Sequence, residues 1–201
     1  MGDEAPNRSG PEAQPRPPTL TDLARLCAEL NRLGARYVVV GGLAVIQAGY
    51  LRATDDIDLL IETTPENEAR VIEALLILPD KAARELKPGE VADYGVVRVG
   101  DEVLVDLMKS GCGVTYAEAI KDAVVVNVDG VQIPFASASA LWRMKQTVRA
   151  KDVPDRLYLR QLLQAQGIQL QPAEPSRHED PLSRFWERFK RWRERRRLKA
   201  K

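Results

Sequence analysis

The stretch from Arg36 to Glu62, RYVVVGGLAVIQAGYLRATDDIDLLIE, decides how the chain folds. Within it, Arg36-Tyr37-Val38-Val39-Val40 is a β-branched run that reads as a buried strand. Gly41-Gly42 then interrupts the run, and Leu43 to Ala48 reads as a short helix ended by Gly49. A second strand is expected inside Thr54 to Glu62, around Ile57-Asp58-Leu59-Leu60-Ile61. Residues two apart on a strand share a face, so Asp56 and Asp58 point one way while Ile57, Leu59 and Ile61 point the other. Two like charges side by side are unfavourable unless a cation or water screens them. Magnesium suits such a face, because it prefers oxygen ligands and is usually held by one or two carboxylates plus substrate phosphates.

Upstream of this stretch, Thr19-Leu20-Thr21-Asp22 reads as a capping box opening a helix whose apolar stripe is Leu20, Leu23, Leu26, Leu30 and Leu33. Cys27 lies beside that stripe and reads as core, and Gly34 closes the helix at a position suited to positive φ. Downstream, Thr64-Pro65 starts another helix, with Pro65 at its first position and Val71/Leu75 and Ile72/Leu76 paired four apart. Two hairpins follow. Gly95 to Val99 and Glu102 to Leu107 flank Gly100-Asp101, and Val124 to Val128 and Val131 to Phe135 flank Asp129-Gly130, a type I′ signal. Ser139 to Arg149 and Asp152 to Ala165 read as helices, the second opened by the capping pattern Asp152-Val153-Pro154-Asp155. The expected fold class is α+β (α/β): a mixed sheet with helices packed on it and a C-terminal helical extension.

Asp106 is the third candidate ligand. It interrupts Val103-Leu104-Val105-Asp106-Leu107-Met108, where a buried strand calls for an apolar residue. A carboxylate there is costly unless it is paired, hydrogen-bonded or bound to metal. A neighbouring antiparallel strand in the same sheet would bring it to Asp56 and Asp58. Asp-x-Asp by itself is also an ordinary strand end or turn, and Gly41-Gly42 an ordinary strand-to-helix turn; their order and spacing together carry the signal.

The 201 residues suffice for one domain with extensions, and no run approaches the roughly 18 apolar residues of a spanning helix. The N-terminal MGDEAPNRSGPEAQPRPP lacks the features of a secretory signal, so the chain reads as cytoplasmic. Cys27, Cys112 and the single His178 offer neither a disulfide framework nor a structural zinc site. Residues 1–18 are expected to be disordered, 19–136 to form the core, 137–168 to add C-terminal helices, and 169–181 to be a linker. The net charge of +1 conceals an asymmetry: Leu182 to Lys201 carries ten Lys/Arg and two Glu, leaving the rest of the chain acidic. Residues 182–201 read as a basic amphipathic helix, with Phe185, Trp186, Phe189 and Trp192 at helical spacing. Three roles fit such a helix: binding RNA, lying on an anionic membrane surface, or docking on its own domain.

Val40-Gly41-Gly42-Leu43-Ala44, Gly49, Arg52, Thr54 and Asp56-Ile57-Asp58-Leu59-Leu60 together resemble the signature of DNA polymerase β-like minimal nucleotidyltransferases. The likeness looks closest to the AbiEii/AbiGii toxin type. Leu141-Trp142-Arg143-Met144-Lys145, Lys151-Asp152 and Asp155 are also similar to that group, and the resemblance runs from Leu20 to Leu163. It implies a magnesium-dependent enzyme that transfers an NMP from an NTP to an acceptor hydroxyl, on an RNA end such as a tRNA or on a protein. Asp56 and Asp58 would hold magnesium against the triphosphate; Asp106 would bridge to a second metal or act as base toward the acceptor. In two-metal sites the ions lie about 3.5–4 Å apart. Gly41 and Gly42 would let phosphates approach backbone N–H groups. Many relatives carry Gly-Ser at that turn, and Gly42 leaves the contact to the backbone. Arg52 would contact phosphate or be simply an exposed residue near a turn, and Thr54 would orient Asp56 or simply favour extended backbone. Lys145 would reach the nucleotide, and Asp152 and Asp155 read as helix-capping groups. The resemblance further implies a possible toxin–antitoxin setting with an antitoxin protein as partner. Two alternatives stand beside catalysis: a non-catalytic nucleotide- or RNA-binding module of the same fold, and a basic-tailed surface adaptor.

Overall fold

The computed structural model describes residues 14–168 and 170. The expected linker and basic helix of residues 169–201 lie outside the described residues but for Leu170, as do residues 1–13. In chain order the elements are α1 (Leu20–Arg32), β1 (Tyr37–Val40), α2 (Gly41–Gln47), β2 (Asp56–Ile61), α3 (Pro65–Leu75), α4 (Glu90–Tyr94), β3 (Val96–Gly100), β4 (Leu104–Met108), β5 (Ser110–Gly111), β6 (Val114–Thr115), α5 (Tyr116–Ala119), β7 (Val124–Val128), β8 (Val131–Phe135), α6 (Ala138–Met144) and α7 (Val153–Ala165). Six strands form a mixed sheet in the order β3-β4-β2-β1-β8-β7, and β5 and β6 make a separate two-stranded ribbon. This is the mixed α+β architecture expected from the element order. Among the described residues, no helix is long and apolar enough to cross a membrane.

Local chemistry explains most element boundaries. The Thr19 hydroxyl accepts the Asp22 N–H (3.2 Å) while the Asp22 carboxylate accepts the Thr19 N–H (2.8 Å), which satisfies donors that the first turn of α1 leaves unpaired. Leu23, Leu26, Cys27 and Leu30 are buried, so the stripe does face the core, although Leu20 at its start is half exposed. Burial pushes the Cys27 thiol up to about 12, which makes it core rather than a nucleophile. Gly34 has φ +65°, and Asp129 and Gly130 have φ +51° and +84°, as a type I′ turn requires. The sequence predicts disorder through residue 18, but Arg16 is pinned. Its N–H reaches the Glu102 carbonyl (2.9 Å), and its guanidinium pairs with Asp22 (2.7 Å) and Glu102 (3.0 Å). Ion pairs hold this segment, and apolar periodicity does not report them.

Two further differences lie near the C-terminal helices. The helix expected over Ser139 to Arg149 ends at Met144, because the chain turns at Lys145 and Arg156 donates to the Lys145 and Thr147 carbonyls (3.0 and 2.7 Å). The capping box expected at Asp152 does not form; its carboxylate turns inward instead. Residues 77–94, which carry no periodic signal, are organised by buried acids. Glu68 accepts the N–H groups of Gly89, Val91 and Ala92 at 2.7–3.2 Å, and Asp101 accepts those of Asp80, Ala82 and Glu102 at 2.8–3.0 Å. Asp101 therefore does more than turn a hairpin: its buried carboxylate is satisfied by three backbone donors and ties residues 80–82 to the turn.

Candidate active site

Strand pairing builds the site. β1 runs antiparallel to β2 with Val40 opposite Asp58, β2 runs parallel to β4 with Asp58 opposite Asp106, and β3 runs antiparallel to β4 with Arg98 opposite Asp106. Directly paired residues share a face, so Arg98, Asp106 and Asp58 form one row across three strands, with Asp56 two residues before Asp58. The opposite face carries Ile57, Leu59, Val105 and Leu107, all essentially inaccessible. The expected convergence of Asp56, Asp58 and Asp106 is present: one oxygen from each lies within 4.8 Å of the others. The strand that delivers Asp106 is a parallel neighbour of β2, not the antiparallel one expected. A parallel partner starts from the same end of the sheet, which sets Asp56 opposite Leu104 and Asp58 opposite Asp106.

Gly41 makes room for Asp58, and Gly42 for Thr54. Gly41 has φ +64°, and a methyl group there would come within 2.7 Å of Asp58 Cβ and closer still to its carboxylate. A methyl at Gly42 would press equally on Thr54, again within 2.7 Å of Cβ. Gly41→Ala should therefore displace Asp58 and strain the backbone together. The expected result is a stability loss of roughly 1–3 kcal/mol, read by urea denaturation, with any Asp58-dependent cation binding lost in calorimetric titration. A wild-type midpoint and wild-type cation affinity would show that Asp58 does not need this space.

Electrostatics distinguish the three acids. Burial raises the Asp58 carboxyl to about 6, helped by the negative charges of Asp56 and Asp106; Lys145 and the Gly42 N–H act in the opposite direction. Arg98, a residue the sequence reading did not single out, donates Nε to Asp106 Oδ1 and Nη2 to Asp106 Oδ2 (2.7 Å each), and Nη2 also to Asp56 Oδ2 (3.2 Å). Only the strand register exposes this role, since an arginine on a half-exposed hairpin strand has no distinguishing pattern.

The remaining predicted residues fall into a second layer. Thr54 donates to the Asp56 carbonyl (3.3 Å), so it holds Asp56 by its backbone. Arg52 pairs with Asp155 (2.5 Å), and Lys145 pairs with both Asp152 and Asp155 (3.0 Å each). Asp152 also accepts from Thr147 (2.5 Å) and Arg149 (2.9 Å). Asp152 and Asp155 are 0% and 1% exposed, which corrects their reading as helix caps: they are the acids of a buried ion-pair network joining α6 and α7 to the loop before β2. Those pairs take two of the three donors of the Lys145 ammonium. A cavity of about 410 Å³ lies elsewhere, between α2 and the end of α7, and none of the three clustered carboxylates lines it.

No protein-family model matches the chain, and no curated protein matches it. Several solved structures do. A candidate nucleotidyltransferase from Thermotoga maritima is 18% identical, with 73% of this chain and 92% of that one covered and a TM-score of 0.46. An antigenic nucleotidyltransferase-like protein from Paracoccidioides brasiliensis is 17% identical, with coverages of 71% and 75% and a TM-score of 0.45. ANT(2'')-Ia in complex with adenylyl-2''-tobramycin is 16% identical, with coverages of 74% and 91% and a TM-score of 0.46. Similarity this distant carries no argument about residues or activity, so a functional reading rests on the site's own geometry.

Proposed function

We infer that the chain is a magnesium-dependent nucleotidyltransferase that moves an NMP from an NTP to an acceptor hydroxyl. One observation carries this reading: two parallel neighbouring strands deliver three carboxylates to one cluster, where an apolar face would otherwise be expected. The donor set fits magnesium, since all three candidate ligands are carboxylates and, among the described residues, no cysteine or histidine joins them. Asp56, Asp58 and Asp106 would hold the ion, which when bound supplies charge neutralisation at the triphosphate and its departing pyrophosphate. In the reaction the acceptor oxygen bonds to the α-phosphorus and the bond to the bridging oxygen breaks. Pyrophosphate leaves with that electron pair, and the acceptor proton passes to a carboxylate oxygen, Asp106 in this reading, or to solvent. Gly41 and Gly42 keep the approach to the cluster open. Arg52 and Lys145 act chiefly by locking α7 behind the site.

The basic segment 182–201 favours a polyanionic acceptor such as an RNA end, because its charge is concentrated while the rest of the chain is acidic. The toxin–antitoxin setting is a separate proposal, checked by whether a small DNA-binding protein is encoded next to this one. A second reading, a nucleotide- or RNA-binding module without catalysis, is favoured by Arg98, which already neutralises part of the cluster. Incubation of the full chain with each α-labelled NTP, magnesium and total RNA or lysate separates the two. Labelled acceptor with matching pyrophosphate supports transfer. Absence of both with all four nucleotides would leave only the binding module.

A further inference from the structure

The basic side chains near the cluster divide into two kinds. Lys145 is buried between carboxylates whose side chains are 1% exposed, so its pairs are permanent parts of the interior. Arg98 is 55% exposed at the side chain and stands on β3, the end strand of the sheet. Its guanidinium reaches the cluster from the solvent side and can withdraw without unpacking the core. It occupies both oxygens of Asp106, so whichever of them a cation used is already engaged, and one of the two oxygens of Asp56. A magnesium–oxygen bond is about 2.0–2.1 Å long, so an ion on those oxygens would sit against a guanidinium 2.7 Å from the same atoms. Two cations on the same carboxylate oxygens repel, and each weakens the hold of the other.

We propose that Arg98 is a displaceable internal counter-ion: it holds the acidic cluster together without metal, yields Asp106 and Asp56 when a divalent cation binds, and then takes a phosphate group of the incoming nucleotide. This rests on the reading of the cluster as a metal site. It makes cation and polyphosphate binding interdependent, because the charge released by the first is what recognises the second. A planar fork able to bind carboxylate bidentately is equally matched to phosphate oxygens. Arg98 is then a positioning residue before the nucleotide arrives and a binding residue afterwards.

The test measures binding, not turnover. Mn²⁺ is titrated into the full chain and followed by electron paramagnetic resonance for wild type, Arg98→Gln, Arg98→Lys and Asp106→Asn. Preformed Mn²⁺·tripolyphosphate is titrated separately by calorimetry, which removes any dependence on the base. Arg98→Gln should bind free Mn²⁺ about tenfold more tightly than wild type but Mn²⁺·tripolyphosphate about tenfold more weakly. Arg98→Lys should fall between, having charge but no fork. A merely structural role for Arg98 would weaken both, so unchanged or weaker Mn²⁺ binding by Arg98→Gln overturns the proposal. If that happens while Asp106→Asn still abolishes Mn²⁺ binding, the metal-site reading survives and only the role of Arg98 fails. If no variant shows Mn²⁺ binding sensitive to Asp106, both fall together.

Discussion

Asp58→Asn is expected to abolish nucleotidyl transfer while making the metal-free protein more stable. The two effects have one cause. Asp58 is half-buried beside Asp56 and Asp106, and its carboxyl is raised to about 6 by burial and by those two charges. A carboxyl with a raised folded value carries no penalty while protonated. Its unfavourable contribution grows as pH rises from the unfolded value of about 4 through 6, and is complete above that. Asparagine keeps the shape but has no charge to desolvate. Above pH 6 the substitution should stabilise the protein by on the order of 1–2 kcal/mol, a rise of roughly 2–8 °C in Tm, and the gain should fade toward pH 4. Transfer should fall by about 10²–10³-fold or more, since a neutral amide is a poor ligand for a hard cation. Magnesium should raise the wild-type Tm and leave that of the variant unmoved. Thermal melts at pH 4 and pH 7.5, with and without magnesium, check both signs. A lower Tm at pH 7.5 would mean that Asp58 is a structural acid.

Lys145→Met should produce the largest loss of stability. Methionine preserves the packed stem, so the change isolates the ammonium. Its removal leaves Asp152 and Asp155 with one fewer counter-charge each, in positions from which water is excluded. Breaking a buried pair from one side costs about 3–5 kcal/mol. Here Arg149 and Thr147 remain on Asp152 and Arg52 remains on Asp155, which reduces the expected loss to roughly 2–4 kcal/mol. Urea denaturation should show a lower midpoint with an unchanged slope. A change below about 0.5 kcal/mol would show that the pairs are screened like surface ones. The same variant should impair transfer indirectly, because the network fixes α7 and Arg52 behind the site and Lys145 favours the ionised form of Asp58.

The sequence alone determined whatever depends on neighbours along the chain. Alternation placed Asp56 and Asp58 on one face and Ile57 and Leu59 on the other; the Thr19–Asp22 box started α1; Asp129-Gly130 turned the last hairpin. Each follows from local backbone geometry, which repeats every two or about 3.6 residues and is written in the order of side chains. Tertiary structure decided which strands adjoin and in what register. Asp106 meets Asp58 because β4 lies parallel to β2, and Arg98 meets Asp106 because β3 carries it one strand further. The burial of Glu68, Asp101, Asp152 and Asp155 belongs to the same class. A charged residue reads as solvent-exposed until the fold supplies its partner, and those partners lie up to 103 positions away, as Arg52 does from Asp155.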